Sequence, residues 1–165
     1  MRNTANGLDK ANKTHVTSSM ERLPNMRKYR ATIPVMPAVL TWDKQVVQYA
    51  HIKPEQPGIV YFQGREEGTQ GWVDCLLKYD ENLELTGILN YYAIDFPPWE
   101  VAGNFTMFTR PDRYRRGIAS ALLDEARRRW TINFDQQDFT VSGAAFINRY
   151  IQQRSLQDGS SRLGN

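Results

Sequence analysis

The chain has 165 residues, 41% of them hydrophobic and 12% aromatic, which fits one domain with a buried core and excludes a disordered chain. A net charge of +3 suits a phosphate-bearing ligand or weak nucleic-acid contact and lacks the patterned excess of a dedicated nucleic-acid binder. One cysteine and two histidines exclude an internal disulfide and a Cys/His zinc cluster, and with no apolar run of about 18 residues and no signal peptide the expectation is a soluble, cytoplasmic protein without a metal.

Residues 1–25 are rich in Asn, Thr, Ser and Lys and read as a flexible arm, leaving 26–154 as the domain. Tyr29, Ala31, Ile33 and Val35 alternate, which suggests a first strand over 29–36, limited by Pro34 and Pro37. Thr41 has the chemistry of a helix N-cap. Trp42, Val46, Val47 and Ala50 recur at helical spacing up to Pro54, with His51 on the helix surface. Strands are expected at Ile59–Phe62, Trp72–Tyr79 and Thr86–Ile94, the last two joined by a turn at Asp80-Glu81-Asn82, with Cys75 as a buried thiol. A Pro-rich connection over 95–103 leads to a strand at Asn104–Thr109. A helix follows from Gly117 to Trp130, presenting Ile118, Leu122, Ala126 and Trp130 on one face, with Ala119 and Leu123 beside them. Arg127, Arg128 and Arg129 complement the dipole of its last turn. Ile132–Phe134 reads as a short strand, parallel to Asn104–Thr109 across a βαβ crossover. Thr140 or Ser142 then caps a helix carrying Ala145, Phe146, Ile147, Tyr150 and Ile151, and 155–165 read as a loose tail. The class is α/β (α+β), a mixed, mainly antiparallel sheet flanked by helices.

The chemistry concentrates where the 104–109 strand turns into the Gly117 helix. A helix N-terminus presents unpaired amides and partial positive charge, which suits an anion. Gly117 removes a side chain where a ligand would approach the backbone, and Arg110, Arg113, Arg115 and Arg116 surround it. Neither a Walker-type nor a Rossmann glycine pattern is present. The segment points to phosphate or pyrophosphate.

The run Pro111-Asp112-Arg113-Tyr114-Arg115-Arg116-Gly117-Ile118-Ala119-Ser120-Ala121-Leu122-Leu123 resembles motif A of the GNAT family of N-acetyltransferases, Arg/Gln-x-x-Gly-x-Gly/Ala. Gly117 and Ala119 match; Tyr114 stands where the family prefers Gln or Arg. The resemblance spans residues 72–151 and implies a GNAT fold lacking the usual C-terminal strands. It implies transfer of an acetyl group from acetyl-CoA to a primary amine, on a small molecule or a protein. The implied cofactor residues are Arg113, Arg115, Arg116, Gly117, Ile118, Ala119 and Ser120 at the pyrophosphate, and Met107, Phe108 and Thr109 beside the pantetheine arm. Glu100 or Asp95 would take the amine proton. Tyr150, which follows Gly143 by seven residues, would protonate the departing thiolate. Two other functions fit the residues: a non-catalytic interaction or assembly module meeting a protein through the N-terminal arm, and a nucleic-acid accessory protein using Arg110–Arg116 and Arg127–Arg129.

Overall fold

Apolar side chains alternate through the middle of the chain and build a sheet of four strands that pair in sequence order. These are β1 (Gly58–Arg65), β2 (Trp72–Tyr79), β3 (Leu85–Tyr91) and β4 (Phe105–Thr109), and every neighbouring pair is antiparallel. The computed structural model describes residues 23, 28–33, 41–65, 72–95, 97–98 and 100–162. The β2–β3 hairpin is closed by Asp80, whose carboxylate accepts the amides of Asn82 at 2.9 Å and Glu84 at 3.0 Å. Those backbone donors hold its carboxyl below the usual carboxylate range.

Successive strand residues face opposite layers. Leu76, Leu89, Tyr91 and Phe105 pack with α2 (Ile118–Arg129) and α3 (Val141–Arg162), whose own buried residues include Ile118, Leu122, Leu123, Ala126, Ala144, Ile147, Tyr150 and Ile151. Val73, Cys75, Leu77, Tyr79, Ile88 and Tyr92 face the other way, toward the short α1 (Trp42–Val46) and its 3₁₀ continuation Val47–Tyr49. Gly87 lets α2 lie close on β3: a Cβ there would fall 2.5 Å from Ile118 Cγ2 and 2.8 Å from Leu122 Cδ1. Thr140 caps α3, its Oγ1 accepting the Gly143 amide at 3.0 Å.

The fold is α+β, as expected, but several elements differ. The sheet is antiparallel throughout and not mixed, because Ile132–Phe134 forms no strand. Ile132 and Phe134 are buried as a strand's would be, yet the backbone there gives β4 and its approach a single bond, Asn133 N to Gly103 O at 2.8 Å. Residues 29–33 are not a strand either; the amides of Thr32 and Ile33 both donate to Phe139 O. The rest of the strand expected over 29–36 lies outside the described residues. So does the arm expected over 1–25, except Leu23, which packs against the α2–α3 core. Ala145 is exposed, with Ala144 taking the core position, and α3 runs on to Arg162 through most of the expected tail. Among the described residues no helix is long and apolar enough to cross a membrane.

Candidate functional site at the free edge of β4

The bend between β4 and α2 begins with a 3₁₀ turn at Pro111–Arg113 and ends at Gly117, the residue before α2. Arg115 and Gly117 both have left-handed backbone, with φ of 62° and 75°. Left-handed residues in a turn can direct neighbouring N–H groups toward one side, a geometry that cups anions. No side chain caps α2, and its first intrahelical bond is Ala121 N to Gly117 O at 2.9 Å. The amides of Ile118, Ala119 and Ser120 therefore have no helical acceptor. Nothing lies within 4 Å of where a Gly117 Cβ would stand, so the mouth of the bend is open.

The arginines around it divide in two. Arg110 pairs with Glu84 at 2.8 Å and Asp112 at 2.9 Å, and Arg113 pairs with Asp80 at 3.3 Å while its buried Nε makes no hydrogen bond and lies 4.0 Å from Asp112 Oδ2. Arg115 and Arg116 are exposed and have no acidic partner among the described residues. Tyr114 is 62% exposed.

β4 is the last strand of the sheet. Arg110 N donates to Thr86 O and Tyr92 N to Asn104 O, which sets the antiparallel register: the amides of Thr106 and Phe108 turn to β3, and those of Phe105, Met107 and Thr109 turn outward. Phe105 N finds the side chain of Gln137, at 3.0 Å from its Oε1, and Gln137 Nε2 donates to Asn133 O at 2.8 Å. A side-chain amide thus stands where a fifth strand's backbone would. It spaces residues 131–134 away from β4 and leaves the Met107 and Thr109 amides facing open space.

An open cleft of about 2070 Å³ wraps this edge and reaches both faces of the sheet. It is lined by Thr106, Phe108, Tyr49, Asn90 and His51 on the α1 side and by Met107, Thr140 and Phe146 on the α3 side. Gly117, Ile118, Ala119 and Ser120 close one end. The residues expected to hold a pyrophosphate and those expected along its chain, Met107, Phe108 and Thr109, are brought into one cleft; Arg116 is not among its lining.

Of the acid–base candidates, Glu100 and Tyr150 line the cleft and Asp95 does not. Glu100 lines the cleft, half-buried, with Asn104 Nδ2 donating to its Oε2 at 3.2 Å. Asp95 is exposed and caps its own loop, accepting the Ala102 amide at 2.8 Å. Tyr150 is buried, at 1% exposure, and its hydroxyl donates to Asp124 at 2.6 Å while accepting from Arg127 at 3.0 Å. Burial, then the bond to Asp124, push that hydroxyl up to about 12. This network ties α2 to α3, with Arg154 bidentate on Asp124 at 2.9 and 2.7 Å. Cys75 is a core thiol, pushed up to about 11 by burial.

Sequence reasoning missed Gln137, Asn90 and Tyr49. Gln137 lies in a polar run that reads as loop, and Asn90 occupies a core position where the alternation calls for an apolar residue, the one signal that marked it. Comparison with family models, with curated proteins and with solved structures returns no match.

Proposed function

We propose that the protein is a GNAT-like N-acyltransferase that moves an acetyl group from acetyl-CoA to a primary amine. The observation that carries this reading is the bend at Arg115–Ser120: three uncapped helix amides, two left-handed residues and a glycine open to the cleft. This cradle fits a pyrophosphate. Arg115 and Arg116 add uncommitted positive charge beside it. The outward amides of Met107 and Thr109 suit an extended, amide-bearing chain such as pantetheine, which hydrogen-bonds an exposed strand edge as a peptide would.

Acetyl-CoA, when bound, supplies the activated acyl group. The chain's own residues would orient it, with β4 along one side and α3 along the other. Three carboxylates line the cleft, Asp43, Glu100 and Asp138; Glu100, steadied by Asn104, is the one placed to accept a proton from the amine in this proposal. Tyr150 has no part in this proposal, since its hydroxyl is engaged by Asp124 and Arg127. A cytoplasmic setting belongs to the same reading, in keeping with the free thiol.

The test is calorimetry with CoA and acetyl-CoA. Wild type is expected to bind in the micromolar range. Gly117→Asp sets a carboxylate at the cradle, at a backbone conformation Asp tolerates, and should weaken binding at least about 100-fold. No heat at high micromolar wild-type protein overturns the proposal. The engagement of Tyr150 favours a second reading, a non-catalytic module of the same fold. In that case Gly117→Asp leaves partner binding intact and acetyl transfer is absent in wild type. The ion pairs of Arg110, Arg113, Arg128 and Arg129 compensate most of the charge on which a nucleic-acid role would draw.

A further inference from the structure

A buried polar chain runs from the α1 side of the sheet to the cleft at β4. Asn90, 6% exposed, stands on β3 directly opposite Thr106. Its Oδ1 accepts the hydroxyl of Tyr49 at 2.6 Å, and the Cys75 thiol lies 3.3 Å from the same oxygen. Its Nδ2 donates to Thr106 Oγ1 at 3.3 Å. Two donors on one side and an acceptor on the other fix the direction of the amide. Tyr49 is itself buried, at 7% exposure, and burial with the neighbouring Cys75 raises its hydroxyl far above the ordinary value, so it remains a donor.

The direction of the chain sets the role of its last member. Thr106 Oγ1 accepts a hydrogen bond from Asn90 Nδ2, and its own hydroxyl proton has no acceptor among the described residues. Thr106 is half-buried and lines the cleft. The next residue, Met107, turns its amide outward at the same stretch of edge. Met107 turns its C=O outward as well, as every residue of a non-hydrogen-bonded antiparallel pair does, so the Thr106 hydroxyl adds a side-chain donor beside the Met107 amide. A carbonyl oxygen, with two lone pairs, can take both donors, whereas a thiol sulfur accepts only weakly. Buried polar chains cost stability unless satisfied, and this one is bonded through its buried members and ends at the half-buried Thr106 hydroxyl in the cleft.

We infer that the Thr106 hydroxyl, held as a donor by Tyr49 and Asn90, recognises the acyl carbonyl of a thioester lying along β4. It thereby distinguishes acyl-CoA from free CoA. The inference rests on the acyltransferase reading above and adds a specificity-determining residue to it.

Calorimetry with three probes tests it: CoA, acetyl-CoA, and S-ethyl-CoA, a thioether with the same heavy-atom chain and no carbonyl. Wild type should bind acetyl-CoA about tenfold tighter than S-ethyl-CoA, the worth of a well-placed hydrogen bond. Thr106→Val should erase that preference, Thr106→Ser should keep it, and Tyr49→Phe should reduce it by releasing Asn90. Affinity for CoA itself should be the same in all four proteins. Equal wild-type affinities for acetyl-CoA and S-ethyl-CoA overturn the inference while leaving the transferase reading in place, as does a Thr106→Val variant that retains the preference. Failure of wild type to bind any of the three overturns both.

Discussion

Four arginines crowd the turn between β4 and α2, and their carboxylate partners sort them by role. Arg110 and Arg113 are held by Glu84, Asp112 and Asp80, which stitches the bend to the β2–β3 hairpin. Exposed pairs of this kind add little stability, so their work is placement. Arg115 and Arg116 carry charge without such a commitment. Replacing both with Ala should weaken CoA binding about three- to tenfold, with a shallower salt dependence, and leave the melting temperature unchanged. Arg110→Ala should leave the affinity within about twofold. Calorimetry at two ionic strengths reads both outcomes, and a stronger effect from Arg110 would reverse the assignment. Tyr150 is the counterpart inside the core. Tyr150→Phe should cost about 1 kcal/mol of stability, by loss of the bonds to Asp124 and Arg127, and leave CoA affinity unchanged.

Two elements decide whether the cleft exists at all. α2 is seated by Gly87, where an added methyl would meet Ile118 and Leu122 at distances that force a shift. Gly87→Ala should cost about 1–3 kcal/mol and displace the start of α2, so CoA affinity falls together with the denaturation midpoint. Gln137 is the spacer on the other side; Gln137→Leu strips Phe105 N and Asn133 O of their partner and should cost about 1–3 kcal/mol, measured by denaturant titration. The contrast between these two elements explains what the residues alone disclose. The β2–β3 hairpin and α2 are legible because their apolar periods are regular and their ends carry Asp80 and Gly117. Ile132–Phe134 carries a strand's alternation too, and both apolar residues are buried, but strand pairing depends on what lies alongside, and there a glutamine side chain replaces the backbone. The length of α3 was hidden for the opposite reason. Residues 152–162 have no apolar stripe, yet a nucleated helix extends at small cost per residue, and Arg154 anchors the first of the added turns on Asp124.

At the scale of the molecule, segments distant in sequence are tied across α3. The backbone of Tyr29 exchanges hydrogen bonds with the Asn148 side chain at 2.7 and 2.9 Å, and the Tyr29 ring packs edge-on against Phe139 at 5.5 Å. On the opposite flank of α3, Asp124 binds Arg154 and Tyr150. These contacts make whole-chain stability depend on ionised carboxylates. Burial raises the Asp124 carboxyl, but the bonds from Arg154 and Tyr150 outweigh burial and hold it below the usual range; Glu125 is held down in the same way by Arg128 and Arg129, and Asp80 by the backbone of Glu84. In the unfolded chain such groups titrate near about 3.9 for Asp and 4.3 for Glu. Below those values the unfolded state binds protons that the folded state refuses, so stability falls with falling pH; above them the contribution is complete. The denaturation midpoint should therefore be level from neutral pH down to about pH 5 and decline below about pH 4.3. Asp124→Asn removes one of the linked groups, so it should start lower at pH 7 and decline less steeply in acid. Denaturant titrations at several pH values compare the two slopes, and an Asp124→Asn slope equal to wild type would mean that the acid response comes from carboxylates elsewhere in the fold.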